Sequence, residues 1–281
     1  MSTSSASSPG RVVVALDTPS LDDLAIEVAR EIARSPMLEL LGLFVEDARL
    51  LEHASAPLAR EIAMSGRARP LEASRLEREL RARATLARGT FEEAATRAGL
   101  RHAFQVARGT LADELLRASV DAEALIIALD RRDAMRSAAV AAVAALAALP
   151  RARLRALLFA RENPQSGEGI LAVVEAGAAA SEPLRVAARL AERATSPVRI
   201  LLTKESQNEE LVRVQVADLR RRGIALELLP PAAELSPETI ARHARDARLS
   251  IMTARGPPYD ERVIERVLAK TRAALLLIRG D

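Results

Sequence analysis

Short apolar runs alternate with longer amphipathic segments along almost the whole chain. The first run, residues 11–17, reads Arg-Val-Val-Val-Ala-Leu-Asp. Five consecutive apolar residues, three of them β-branched, predict a strand buried on both faces. The next segment, residues 21–34, is predicted to be a helix, because Leu24, Val28 and Ile32 recur every four residues and form one apolar face.

The same alternation continues to the C-terminus and is interrupted once. The predicted strands cover residues 11–16, 38–45, 102–107, 124–129, 154–160, 170–175, 198–203, 224–229, 249–253 and 273–278. The predicted helices cover residues 21–34, 70–98, 111–119, 133–149, 181–194, 209–222, 237–248 and 260–272, with a short helix and a loop in residues 48–66. Gly99 and Gly223 are predicted to end the helices that precede them.

The order of these elements is a repeat. Each half of the chain has five strands and intervening helices, and strict alternation favours parallel sheets with helices on both faces. We therefore predict an α/β protein with two tandem flavodoxin-like, doubly wound domains at residues 11–161 and 168–281. Residues 1–10 are predicted to be a disordered tail. Residues 162–167 are predicted to be a linker, since Asn, Pro, Gln, Ser and Gly are concentrated there.

Composition removes several classes of site. There is no cysteine, so disulfides, thiolate metal ligands and cysteine nucleophiles are excluded. The three histidines are far apart, and no metal-binding spacing or nucleophile motif is present. We predict no metal, no catalytic residues and no enzymatic activity.

Charge and hydropathy bear on partners and location. The net charge is only +3, and arginines are interspersed with acidic residues, so we predict an ion-paired surface rather than a nucleic-acid-binding one. No apolar run is long enough to span a bilayer, and the N-terminus has no signal-peptide pattern. We expect a cytoplasmic protein with no membrane association.

Asp17 is the first candidate site residue. It follows the first strand, and ligands of open α/β sheets bind beyond the carboxyl ends of the strands at the switch in strand order. Carboxylates are also common in strand-to-helix turns. Asp17 is therefore either a ligand contact or a turn residue.

Three features together resemble the universal stress protein family. They are Val-Val-Val-Ala-Leu-Asp in the first strand, Leu-Leu-Gly-Leu-Phe-Val in the second, and Gly109 after the third. Residues 11–161 resemble the family throughout, and residues 168–281 resemble it in element order. The resemblance implies strand order 3-2-1-4-5, pairing through the fifth strand, and a role in the bacterial cytoplasm. We accordingly expect an intramolecular pseudo-dimer, with strands 154–160 and 274–279 edge to edge, since this pairing removes two exposed edges.

A subset of this family binds ATP, and the resemblance implies which residues would do so here. Asp17 matches the acidic residue near adenine, and Val45 is at the position where the second strand's backbone faces adenine. The family's Gly-x2-Gly-x9-Gly-(Ser/Thr) phosphate loop after the fourth strand is missing, because no glycine occurs between Gly109 and Gly167. Arg131 and Arg132 follow that strand, and guanidinium groups bind phosphate without a glycine loop.

The second half departs further from the ATP-binding pattern. Glu175 stands in the place of Asp17, and Thr253 replaces the first glycine of the loop. Asp260 and Glu261 are at the next predicted helix N-terminus, where a phosphate would otherwise be stabilised.

Three functions remain open at this point. The first is a stress-response regulatory or interaction module that has no bound cofactor and acts on an unidentified protein partner. The second is an ATP- or AMP-binding sensor that uses Asp17, Val45, Arg131 and Arg132 of the first half. The third is a hydrolase or transferase, which would need the missing glycine-rich loop. A further homodimer is compatible with all three.

Overall fold

The computed structural model describes most of the chain. The described residues are 10–16, 23–32, 38–56, 60–62, 68–70, 72–129, 154–161, 167–177, 180–254, 261–271 and 273–279. Three of the four predicted site residues, Asp17, Arg131 and Arg132, lie outside them, as do the predicted alanine-rich helix at 133–149 and nearly all of the tail and linker.

The described elements alternate as the sequence predicts. The strands are β1 (Gly10–Ala15), β2 (Leu38–Asp47), β3 (Arg60–Ile62), β4 (Ala68–Pro70), β5 (Arg101–Gly109), β6 (Ala122–Leu129), β7 (Ala156–Arg161), β8 (Ile170–Val174), β9 (Val198–Leu202), β10 (Leu226–Leu228), β11 (Leu249–Ala254) and β12 (Ala274–Arg279). The helices are α1 (Asp23–Ile32), α2 (Ala48–Ala54), α3 (Ala73–Arg97), α4 (Leu111–Ala118), α5 (Glu182–Ala194), α6 (Glu210–Arg221), α7 (Pro237–Ala244) and α8 (Glu261–Lys270).

Ten of the strands form one sheet in the order β10-β9-β8-β11-β12-β7-β6-β1-β2-β5. Within each half the five strands follow the order 3-2-1-4-5 and pair in parallel. The predicted α/β fold is therefore confirmed. The one antiparallel pair of the ten-stranded sheet is β7 with β12, where Leu158 lies opposite Leu276. The fifth strands are thus edge to edge, as predicted.

Helices cover both faces of the sheet because its central strands are apolar on both sides. Val12 and Val14 of β1 contribute to one buried layer, with α1, α3 and α5, and this layer is continuous through both halves. Val13 belongs to the opposite layer, with α4, α7 and α8. Leu24 and Val28 of α1 are buried as predicted.

The two predicted helix stops have the backbone that favours glycine. Gly99 follows α3 with φ of 66°, and Gly223 follows α6 with φ of 75°. A left-handed residue directly after a helix lets the chain turn back and satisfies terminal carbonyl groups.

One local prediction was wrong, and one short element was not predicted. Residues 60–70 contain an antiparallel pair, β3 with β4, where the sequence was interpreted as a loop followed by the start of the long helix. These strands are three residues each and lack clear alternation, so pattern alone does not reveal them. The chain after β9 forms a single 3-10 turn at Ser206–Asn208, which was also not predicted.

Candidate functional site

The candidate site of the first half is the first crevice, which lies beyond the carboxyl ends of β1 and β2. The N–H of Leu16 donates to the carbonyl of Leu43 over 2.9 Å, and β2 then continues to Asp47. β2 therefore extends past the described end of β1. Because backbone groups of a strand alternate in direction, the N–H and C=O of Val45 point to the same side as those of Leu43. The backbone of Val45 thus faces the position predicted for a ligand.

Val45 is the only predicted site residue whose surroundings the structure describes. It is half-buried and pairs with Ala107 of β5 on its other side. Asp47, two residues after Val45, caps α2 by accepting hydrogen bonds from the backbone N–H groups of Arg49 and Leu50. Asp47 is therefore engaged in capping. Asp17, Arg131 and Arg132, the other predicted site residues, lie outside the described residues.

The register identifies the equivalent residue in the second half. Ala15 pairs with Leu43 in the first half, and Val173 pairs with Leu201 in the second. Two residues further along each second strand are Val45 and Thr203. Thr203 is thus at the position where a nucleotide would contact backbone in this half.

Ser206 occupies the space beside Thr203 and is completely buried. Its hydroxyl accepts the N–H of Thr203 over 2.9 Å and donates to the carbonyl of Val174 over 3.0 Å. In return, the N–H of Ser206 donates to the hydroxyl oxygen of Thr203 over 3.0 Å. These bonds use backbone groups at the ends of β8 and β9 that a ligand would otherwise contact.

A carboxylate reinforces this closure. The Oε1 atom of Glu209 accepts the N–H of Gly177 over 2.7 Å, although Glu209 itself is at the N-cap of α6. The side chain thereby ties the loop after β8 to the start of α6. On the other side, Ala232 donates to the carbonyl of Leu202 over 2.8 Å. Backbone groups beyond the carboxyl ends of β8 and β9, which form the second crevice, are therefore already bonded within the chain itself.

The first half lacks the residues that close the second. Ser206 and Glu209 are three and six residues after Thr203. The residues three and six positions after Val45 are Ala48 and Leu51. Neither has a side-chain hydrogen-bonding group. The first crevice consequently cannot be closed by the same contacts. Sequence reasoning missed this difference, although Thr203 and Ser206 three residues apart after a buried strand are a recognisable hydroxyl-turn signal.

Groups with shifted pKa values lie elsewhere on the described surface. A hydrogen bond from Arg222 lowers the pKa of Glu192, and one from Lys270 lowers the pKa of Glu238. Burial, together with the nearby charges of Arg199 and Arg242, lowers the pKa of His243. These groups belong to helix surfaces and point to ion pairing rather than to acid–base chemistry at the crevices.

The described residues offer neither a metal site nor a membrane-spanning helix. They contain no cluster of three or more His, Asp or Glu side chains that could hold a metal ion. Among the helices that the structure describes, none is both long and apolar enough to cross a membrane.

An open cleft of about 490 Å³ lies on the first half, between α3 and the sheet. It is lined by Glu46 and Val106 from the sheet and by Arg81, Ala84, Thr85 and Arg88 from α3. The guanidinium carbon of Arg88 lies 5.1 Å from the centre of the Phe104 ring. This cleft could not be predicted from the sequence, because it depends on which face of β5 meets α3.

Comparison with known proteins identifies the fold. The chain is similar to a universal stress protein from Archaeoglobus fulgidus, with 12% identity, a TM-score of 0.61, and 96% and 97% of the two chains covered. It is also similar to a putative universal stress protein from Pseudomonas aeruginosa, with 16% identity, a TM-score of 0.53, and 96% and 93% covered.

A third similar structure is the cytoplasmic domain of a prokaryotic cation chloride cotransporter. Its identity is 14% and its TM-score is 0.53, with 96% of this chain and 95% of that chain covered. No protein-family model and no curated protein matches the sequence. At these identities the likeness establishes a universal-stress-protein-like fold that extends through both halves.

Proposed function

We propose that this protein is a regulatory or interaction module of the bacterial stress response that does not bind ATP in the manner of the ATP-binding universal stress proteins. The observation that carries the proposal is the closure of the second crevice by the hydroxyl of Ser206. This hydroxyl already bonds the groups of Thr203 and Val174 that a nucleotide would need. A ligand would have to break these buried bonds before it could bind.

The sequence of the first half supports the same proposal for a different reason. Its crevice is not closed by the contacts found in the second half, but residues 110–166 contain no glycine. A phosphate loop needs glycine so that backbone N–H groups can approach the phosphates closely. Asp130 stands where the first glycine of the family pattern would be. Its negative charge would repel a triphosphate.

A role in protein interaction is consistent with one of the similar structures. The same fold forms the cytoplasmic domain of a prokaryotic cation chloride cotransporter. A module of this kind acts through its surface, so it requires no cofactor. We place this chain in the same broad functional class, with a protein partner that its own surface must recognise.

The second candidate function is a nucleotide sensor that uses the first half alone. It is favoured by one observation: Ala48 replaces Ser206, so the backbone of Val45 is not capped by a hydroxyl there. In this candidate Asp17 contacts the adenine end, and Arg131 or Arg132 contacts the phosphates.

The experiment is a calorimetric titration of the full-length protein with ATP, together with thermal unfolding at millimolar ATP. The proposal predicts no heat and no rise in melting temperature, since a ligand that does not bind the folded state cannot stabilise it. Asp17→Ala and Ser206→Ala are titrated alongside the wild type.

Micromolar binding by the wild type would contradict the proposal. If Asp17→Ala abolished that binding while Ser206→Ala retained it, the first-half sensor would be the function. Binding gained only in Ser206→Ala would support the proposal, because it would show that the hydroxyl is what closes the second crevice.

A further inference from the structure

The two ends of the ten-stranded sheet differ in length. One end is β10, which has three residues. The other end is β5, which has nine residues and pairs with β2 along its whole length. In the described part of the chain no strand pairs with the outer side of β5. An exposed strand of this length can template the addition of another strand.

The backbone groups that face outward can be assigned from the register. Leu43 of β2 bonds to β1, so its neighbours Gly42 and Phe44 direct their backbone groups to β5. Gly42 pairs with Phe104. In a parallel ladder the bonds from Gly42 then reach the residues on either side of Phe104. The N–H and C=O groups of Phe104 and Val106 therefore point outward.

The side chains on this edge are basic or uncharged. Arg101 and Arg108 lie near the two ends of β5, and residues 101–109 include no carboxylate. Within the described residues, neither Arg101 nor Arg88 of the adjacent α3 forms an ion pair. Arg108 is 3.5 Å from Glu77, which also pairs with Arg81. Arginines therefore outnumber carboxylates along this edge of the sheet.

The cleft beside β5 provides a pocket for one apolar side chain. Val106, which is 41% exposed, lines the cleft with Ala84 and Thr85, and the remaining lining residues are the two arginines Arg81 and Arg88 and one carboxylate, Glu46. Added strands gain affinity from main-chain hydrogen bonds and specificity from pockets for alternate side chains. β5 and this cleft together offer both.

A second copy of the chain does not suit this edge. Antiparallel pairing of two β5 strands about their middle would gather Arg101 and Arg108 of both copies along one strand pair that has no carboxylate. Like charges gathered in this way repel one another. Charge complementarity instead favours a partner strand that carries carboxylates.

We propose that β5 is a docking edge for an extended acidic segment of a partner protein, which adds to the sheet as an eleventh strand. Its carboxylates lie beside Arg101 and Arg88, and one of its apolar side chains enters the cleft at Val106. This inference rests on the proposed function as an interaction module, and it assigns that function a surface and a class of partner.

The test uses full-length protein and a fluorescein-labelled peptide with the length of β5, which has one central valine and glutamates on both faces of the extended strand. Fluorescence anisotropy is expected to show binding on the order of micromolar affinity that weakens as salt is added. Two control peptides separate the causes. In one, lysine replaces glutamate. The other keeps every side chain but has N-methyl groups on alternate backbone nitrogens.

Protein variants test the same edge. Arg101→Gln and Arg88→Gln are expected to weaken binding about tenfold together. Arg213→Gln removes the same charge from an exposed position on α6 and is expected to leave binding unchanged. Val106→Pro removes an outward N–H without removing a bond to β2, so it should abolish binding while the melting temperature reports that the fold persists.

Equal binding of the glutamate and lysine peptides, or undiminished binding of the N-methylated peptide, would overturn the proposal. So would the absence of glutamate-peptide binding. This last result is distinguishable from failure of the proposed function, which the ATP titration decides on its own. Without ATP binding and without peptide binding, the protein would remain an interaction module that uses another surface.

Discussion

At the residue scale, two glycines of the first half have opposite surroundings. A Cβ atom on Gly42 would lie 2.7 Å from a ring carbon of Phe104 and 2.9 Å from one of Phe91. A Cβ on Gly89, in the middle of α3, would meet no atom within 4 Å. Gly42 is therefore required by packing, whereas Gly89 only lowers helix propensity.

We expect Gly42→Ala to lower the free energy of unfolding by about 1–3 kcal/mol, because both rings must shift in a filled core. Gly89→Ala should raise it by about 0.5–1 kcal/mol, since alanine is the better helix former. Urea denaturation of both variants measures the difference. A stabilising Gly42→Ala would contradict the described packing of β2 against α3.

Ser206→Ala should also destabilise the protein. It removes the hydroxyl that satisfies the buried N–H of Thr203 and the carbonyl of Val174, at a cost of about 1–3 kcal/mol. Ser196→Ala is the control, because Ser196 is partly exposed and its hydroxyl makes only a long bond to Ala194. Equal denaturation midpoints for the two variants would show that Ser206 does not close the second crevice.

The sequence could identify Val45 as a site position. It could not show that the N–H of Thr203, the equivalent residue in the second half, is already hydrogen-bonded by Ser206. Strand one of each half ends in a carboxylate, so the two crevices look alike in the pattern of apolar and acidic residues. The difference lies in one hydroxyl, that of Ser206, three residues beyond Thr203. Its role depends on a 3-10 turn whose geometry a linear pattern does not specify.

At the element scale, α7 contains the histidine whose surroundings disfavour its charge. Burial, then the nearby Arg199 and Arg242, lower the pKa of His243, while Glu227 opposes them. The guanidinium of Arg199 also donates to the carbonyl of His243 over 2.7 Å, so this cation is fixed close to the ring. The folded protein therefore favours the neutral imidazole.

This pKa shift predicts the sign of a pH effect. As pH falls below about 6.5, the unfolded chain gains a proton at His243 that the folded protein takes up only at lower pH, so stability is lost. We expect the free energy of unfolding to fall between pH 7.5 and the folded pKa. His243→Gln should remove this part of the slope, and His53→Gln on α2 should retain it. An unchanged slope in His243→Gln would contradict the prediction.

Element type was predictable wherever periodicity was strong. Leu24, Val28 and Ile32 defined α1, and the β-branched run at residues 12–14 defined β1. The short pair β3 with β4 was missed because three-residue strands carry too few positions to show alternation. The residues of β5 do not reveal that it is an edge strand; its edge position follows from the strand order 3-2-1-4-5, which the family resemblance implied.

At the scale of the whole molecule, the two halves are joined by a seam of complementary charge. Glu31 of α1, whose side chain is 3% exposed, lies 2.9 Å from Arg189 of α5. Glu27 of α1 lies 3.1 Å from Arg248, which precedes β11. Acidic residues of the first half therefore meet basic residues of the second. In a dimer of identical subunits related by a two-fold axis, α1 would meet its own copy, and both sides of the contact would carry the same charges. A single chain allows one side to be acidic and the other basic.

The two partners of the Glu31–Arg189 pair should differ in effect. Arg189→Ala leaves a buried carboxylate whose distance to Arg193 is 4.0 Å, too long for a good hydrogen bond, and should cost about 1–3 kcal/mol. Glu31→Gln leaves two arginines that are about half exposed and remain hydrated, so it should cost less than about 1 kcal/mol. Urea denaturation measures both. The reverse order would contradict the described burial of Glu31.

The most direct test of the account is the amide NMR spectrum of the full-length protein during titration with ATP. The signals of Val45 and Thr203 report on the first and second crevices separately. The account predicts that neither signal shifts at millimolar ATP, because the second crevice is closed by Ser206 and the first lacks a phosphate loop. A saturating shift at Val45 would contradict it and assign the protein as a nucleotide sensor that acts through its first half.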